Sequence, residues 1–123
     1  MSKFTEMDAT VSLADQLASN QAGPVVLINT FVVPPKDADA LLAAWSRDAA
    51  IMKRQPGFIS TQLHRGIAGS GTFLNYAIWQ SVAHFRDAFA NPEFRAQLSA
   101  YPDSATASPH LFQRLEVPGI CVA

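Results

Sequence analysis

Apolar and polar positions along this chain fall into two rhythms. Residues 24–33, PVVLINTFVV, are apolar with almost no polar alternate, the pattern of a strand buried on both faces. PPKD closes that run and a helix opens near Asp37. In it Leu41, Leu42, Trp45, Ala49 and Met52 recur at helical spacing, while Arg47, Asp48 and Lys53 fall off the stripe. QPGF ends the helix, with Gly57 at the turn. FISTQLHRG (58–66) is a second strand. It is expected to place Phe58, Ser60, Gln62 and His64 on one face and Ile59, Thr61, Leu63 and Arg65 on the other. IAGSG turns the chain into FLNYAIWQS (73–81), so the second and third strands form a hairpin. This glycine-rich turn superficially resembles a phosphate cradle, but it leads into a strand rather than a helix, which argues against that reading.

Ser81 is the expected cap of a second helix with Val82, Phe85, Ala88 and Phe89 inward. Asn91-Pro92 restarts helical structure, with Phe94 and Leu98 facing in. YPDSATASP reads as a loop, HLFQRLEV (110–117) as the last strand, and PGICVA as a tail. Residues 1–22 are polar, with one short helical stretch over 11–18. They read as an arm, mobile or docked as a helix on a partner, ahead of a single domain over 23–123.

The order βαββαβ predicts an α+β, ferredoxin-like fold: a four-stranded antiparallel sheet with two helices on one face. The opposite face keeps apolar residues, from Val26 and Ile28 to Leu74, Tyr76 and Ile78, and its own chain does not cover it. A face of that size is an interaction surface, so a homodimer joined through its sheet faces is expected.

Composition narrows the partners. The 123 residues are 49% apolar and 15% charged, with a net charge of −1 and a pI near 6.2. Nothing there attracts nucleic acid. No apolar run is long enough to span a membrane, and the N-terminus lacks a signal-peptide core. Cys121 is the single cysteine, so a cytoplasmic protein is expected.

Against this apolar background a few polar side chains need a reason. Asn75 sits in the middle of an otherwise bulky strand, on the face it shares with Trp79. Burying an unpaired amide costs roughly 1–3 kcal/mol. Either the protein satisfies Asn75 internally and Trp79 is plain core, or both line a pocket. Asn29 is a second amide in an apolar strand. His64 and Gln62, across the hairpin, are expected near the Asn75–Trp79 face, and Arg95 lies among Phe94 and Leu98. With Trp45, Phe85 and Phe89 as walls, these groups would make a mixed pocket for a small aromatic ligand. His64, His84 and His110 are too scattered for a metal site. There is no nucleophile elbow and no dinucleotide fingerprint. An enzyme here would rely on the substrate's own reactivity or on an added cofactor.

PGFISTQLHRG followed by FLNYAIWQS resembles the antibiotic biosynthesis monooxygenase family of dimeric α+β barrels, over about residues 25–117. The resemblance implies a cofactor-independent monooxygenase that uses O2 on an electron-rich anthrone- or phenol-like aromatic substrate. It implies that Asn75 and Trp79 contact the substrate's oxygens, that His64 takes part, and that Arg95 binds substrate. One departure stands out: a helix tyrosine of the anthrone oxygenases aligns with Phe85, which has no proton to move. That favours a rival reading, a non-catalytic or stress-associated small-molecule-binding barrel. A haem-degrading branch shares an asparagine and a tryptophan at the positions of Asn29 and Trp79. Its iron-ligating histidine would fall near Leu98, and leucine cannot bind iron.

Overall fold

The unalternated apolar run lies at the middle of a sheet, as a strand buried on both faces must. In the computed structural model, which describes residues 3–122, the elements are β1 (Lys3–Phe4), α1 (Leu13–Leu17), β2 (Val25–Val32), α2 (Ala38–Lys53), β3 (Phe58–Arg65), β4 (Thr72–Trp79), α3 (Val82–Phe89), α4 (Pro92–Gln97) and β5 (Thr106–Phe112). The sheet order is β1-β5-β2-β4-β3. Strands β2 to β5 pair antiparallel, in the expected ferredoxin-like arrangement. The short β1 adds a fifth strand, parallel to β5, at the edge. No helix among the described residues is long and apolar enough to cross a membrane.

Local chemistry sets the helix ends. The Ser81 hydroxyl accepts from the backbone N–H of His84 at 3.1 Å and starts α3. The Asn91 side chain accepts from Glu93 and Phe94 N–H at 2.9 and 3.2 Å, and Pro92 fills the first turn of α4, where no N–H is needed. Gly57, at φ +86°, makes the turn from α2 into β3. A side chain there would collide with His84, so glycine is required twice over.

Three features differ from the pattern-based expectation. First, the last strand is Thr106–Phe112, not 110–117. Its length is set by β2, against which it pairs from Val32↔Thr106 to Val26↔Phe112. Ser108 and Pro109 disguise it as a loop. Pro109 is tolerated because it shares parity with Leu111, whose N–H and C=O point away from β2, so its missing donor faces the outer edge. Second, β3 carries a bulge. Phe58 pairs with Trp79, but Ser60 pairs with Ile78, one residue out of step. The strand therefore changes face after Phe58. Third, Asp48 does not fall off the inner stripe of α2. It lies seven residues, two helical turns, from fully buried Leu41.

The arm folds back on its own chain. Leu13 of α1 enters the core beside Val25, Leu27 and Leu111, and the Arg86 guanidinium donates to Leu17 O at 3.0 Å. The Gln16 amide acts as one more strand residue: its Oε1 accepts from Leu111 N and its Nε2 donates to Leu111 O, both at 2.9 Å. Nε2 also approaches His110 Nε2 at 3.0 Å. An amide nitrogen only donates, so in this contact the imidazole nitrogen is the acceptor. The edge of β5 beyond β1 is thus closed by a side chain. Replacing Gln16 by Ala should speed hydrogen exchange at the Leu111 amide about tenfold, in line with losing hydrogen bonds of about 1 kcal/mol each, while amides of β2 keep their protection. Unchanged exchange at Leu111 would show that the arm does not hold this edge.

Candidate active site

Two apolar clusters fill the space between sheet and helices. One gathers Leu27, Trp79, Val82, Phe85 and Leu111 under α1 and α3. The other gathers Phe31, Leu41, Ala44, Phe73 and Tyr101 under α2. Between them a different row crosses the sheet: Pro109, Asn29, Asn75 and Leu63, each in register with the next. Asn29 and Asn75 are direct cross-strand neighbours on the helix-facing side. Thr61, moved to that side by the β3 bulge, donates its hydroxyl proton to Asn75 Oδ1. The amide is thereby oriented, and its N–H2 is left as the donor.

Above this row lies a cavity of about 520 Å3, counted out to its open mouth. Its enclosed part is small, about 50 Å3, and the rest is space open to solvent at the mouth. α2 contributes Trp45, Asp48 and Met52; α3 contributes Phe85 and Phe89; α4 contributes Phe94. The aromatic walls brace one another. Trp79 meets Phe58 and Phe85 edge-on, with ring centres 5.5 and 5.6 Å apart, and Phe89 bridges Phe85 and Phe94. A smaller hollow adjoins the cavity, sharing Asn29, Asp48 and Phe89, and Phe4 of β1 stands in its wall.

Among the described residues, five buried side-chain polar atoms have no hydrogen-bond partner in the protein, and three of them belong to this cavity's wall: Asn29 Oδ1, Asp48 Oδ1 and Trp79 Nε1. Asp48 is the group that sequence reasoning missed. Its Oδ2 accepts from the Tyr101 hydroxyl at 2.7 Å. Burial pushes its pKa up from 3.8 to about 6, and the Tyr101 hydrogen bond opposes that rise only partly. Burial, and then the neighbouring Asp48 charge, hold the Tyr101 phenol far above its ordinary range, so it stays a donor. The signal was present in the spacing from Leu41 to Asp48, two turns along one face.

The expected site residues separate into two groups. Asn29, Asn75, Trp79, Trp45, Phe85 and Phe89 meet around the cavity. His64 and Gln62 do not. After the bulge they pair with Leu74 and Tyr76 and lie on the opposite, open face of the sheet, where His64 Nδ1 is 3.4 Å from Leu74 O. The expectation that His64 sits near Asn75 fails because one extra residue, Ile59, reverses the alternation. Arg95 is exposed on α4 and stacks on the outer side of the wall, with its guanidinium 4.6 Å from the Phe89 ring centre. No group of three or more His, Cys, Asp or Glu side chains among the described residues could hold a metal ion.

Asp48 leaves a signature in stability. A carboxyl whose native pKa is raised binds its proton more tightly folded than unfolded. Its contribution is therefore most favourable at low pH and is lost as pH rises from 3.8 through about 6. Asp48→Asn removes that penalty. It should leave stability near the wild-type value at pH 4 and raise it by about 2–3 kcal/mol at pH 7.5, measured by urea unfolding. Equal stabilities at both pH values would contradict a buried, proton-holding Asp48.

The model of the antibiotic biosynthesis monooxygenase family matches residues 24–99, from the start of the central strand to beyond α4. Deoxynogalonate monooxygenase of Streptomyces nogalater is 32% identical over 91 residues, 74% of this chain and 76% of that protein. The crystal structure of SnoaB, a cofactor-independent oxygenase from Streptomyces nogalater, superposes with a TM-score of 0.67 at 28% identity. It covers 80% of this chain and 99% of the other. A protein of Shewanella loihica PV-4 superposes with a TM-score of 0.68 at 33% identity, covering 80% of this chain and 100% of the other. The matched span contains the central strand with Asn29, α2 with Asp48, and the β3–β4 hairpin with Thr61, Asn75 and Trp79. Arm and β5 lie outside it. On sequence and fold alike, this chain belongs to the antibiotic biosynthesis monooxygenase family.

Proposed function

We propose that the protein is an oxygenase that adds oxygen from O2 to a planar, electron-rich aromatic substrate of the anthrone or phenol class, without a bound cofactor. The observation that carries this reading is the set of three unpartnered polar atoms, Asn29 Oδ1, Asp48 Oδ1 and Trp79 Nε1, in the wall of one aromatic slot. A fused-ring phenol is flat enough to lie between helix layer and sheet, and its edge carries both oxygens and hydroxyl protons. The Trp79 indole N–H and the Asn75 amide N–H2 are donors for oxygens on which charge grows once the substrate loses a proton. Asn29 Oδ1 is an acceptor for a hydroxyl. Such an anion is a one-electron reductant of O2, so the work of the protein is to bind and stabilise it. The names of two similar proteins, deoxynogalonate monooxygenase and a cofactor-independent oxygenase, support the same class of reaction.

Asn75→Ala and Trp79→Phe should each lower the rate of O2 uptake with an anthrone by about 10²–10³, the usual effect of losing one preorganised donor. Asn75→Ala should change stability far less than activity. A non-catalytic binder is the competing reading, favoured by Phe85 standing where related oxygenases carry a tyrosine. It predicts no O2 uptake above background from the wild-type protein, although the ligand still binds.

The open sheet face supports a homodimer. Val26, Ile28, Leu74, Tyr76 and Ile78 stay partly exposed there, with no covering layer from their own chain. Pairing this face with a second copy buries them and leaves the cavity, on the other side, free in each subunit. The wild-type chain should sediment at twice its 13.3 kDa mass, and Ile28→Asp with Tyr76→Asp should shift it toward the monomer. A wild-type monomer at micromolar concentration would contradict the pairing.

A further inference from the structure

Turning an aromatic methylene into a ketone with O2 takes two protons from one carbon: the ring CH2 and one O2 become a ring C=O and one water. A pocket that does this needs a group able to accept a proton, return it and accept another. Phe85 cannot serve, and His64 lies on the other side of the sheet. Building on the oxygenase reading above, we propose that Asp48 is the catalytic base of this site and that Tyr101 is the positioning residue that holds its carboxylate.

The geometry supplies each requirement. Asp48 lines the main cavity and the adjoining hollow together with Asn29, and no other carboxylate lines either among the described residues. Oδ2 is engaged by the Tyr101 hydroxyl. Oδ1 is buried with no protein partner, the oxygen left for a proton from the guest. Tyr101 is itself fixed, buried and stacked flat on Phe31 with ring centres 5.7 Å apart. It is the titratable group that faces Asp48. The other charged residues on the surrounding elements are exposed: Lys3 on β1, Asp39, Arg47 and Lys53 on α2, Asp87 on α3, Arg86 on α3 with its guanidinium on Leu17 O, Glu93 on α4 paired with Arg54, and Arg95 on α4 stacked on the outer side of Phe89. His84 of α3 is turned to the Ser81 hydroxyl, 2.7 Å from its Nδ1. Among the described residues no cation pairs with the carboxylate, and burial brings its protonation into the range where a base both takes and returns a proton near neutral pH.

The steps balance as follows. Asp48 Oδ1 takes the first C–H proton, leaving the substrate carbanion, whose charge spreads to oxygens near Trp79 and Asn75. The anion passes one electron to O2, and the resulting radical pair combines to a C–O bond, giving a peroxide anion on a carbon that keeps one hydrogen. Protonated Asp48 returns its proton to form the hydroperoxide. Asp48 then removes the second C–H proton as the O–O bond breaks, which forms the ketone and expels hydroxide. Hydroxide takes the proton from Asp48 as water, and the carboxylate is restored.

The test is the pH dependence of kcat/KM for O2 uptake with dithranol, a hydroxylated anthrone, from pH 4.5 to 9. In the wild-type protein the rate should rise through about pH 6 as Asp48 ionises. Asp48→Asn should be about 10²–10³-fold slower, should lose that acid limb, and should be no less stable than wild type, so unfolding does not explain the loss. In Tyr101→Phe the hydrogen bond that holds the carboxyl pKa down is gone, so the limb should move to higher pH, an effect a purely structural tyrosine would not have. Wild-type turnover with an Asp48→Asn variant within about twofold, or a Tyr101→Phe limb that stays in place, would overturn the assignment of the base while leaving the oxygenase reading intact. No O2 uptake by the wild-type protein would sink the oxygenase reading itself and the base with it.

Discussion

Two amides directly opposite each other on the buried face of a sheet set the plan of this molecule. Asn29 and Asn75 occupy paired positions on the two central strands, where a packed core would need apolar side chains. Helices can close over leucine or phenylalanine, but a helix pressed onto both amides would bury their polar atoms without partners. The core therefore divides into one cluster around Trp79 and Phe85 and another around Leu41 and Phe73, and the gap between them is the cavity. Three wall atoms are left without protein partners, and a buried polar group left unpaired costs roughly 1–3 kcal/mol. A fold that carries such a cost keeps groups ready for something that enters from outside.

The same trade appears in Asp48. A carboxyl drawn into an apolar wall weakens the fold at neutral pH, and an asparagine of the same shape would not. Stability and reactivity pull in opposite directions there, as they do where a site holds a strained or desolvated group. The arm supports the site from the other edge of the sheet. Gln16 completes the hydrogen bonding of Leu111, Leu13 extends the cluster that supports Trp79, and Phe4 stands in the wall of the smaller hollow.

Much of this was legible in the chain. The central strand, the hairpin, the capped helices and the wall residues Asn75, Trp79, Trp45, Phe85 and Phe89 follow from periodicity and from polar residues in apolar company. What stayed hidden has physical causes. The bulge at Ile59 is a single inserted residue, and a period of two has no means of marking where it slips, so His64 and Gln62 read as facing the pocket. Strand β5 contains serine and proline, whose low strand propensity is overruled by pairing with β2. Asp48 was set aside because charge suggests a solvated face, although its distance from Leu41 placed it inward. β1 is two residues long and exists only through its partner. Tyr101 read as part of a loop and gains meaning only through the aspartate it meets across 53 positions of sequence.

The most direct measurement is a crystal structure of the protein soaked with 1,8-dihydroxyanthraquinone, a stable likeness of the proposed product. The account predicts the ring system lying flat between the sheet and α2, with an oxygen within about 2.7–3.2 Å of Trp79 Nε1 and another at Asn75 or Asn29. A guest bound only on the open sheet face, or a cavity that stays closed while Asn29 and Asn75 bond to each other, would contradict it.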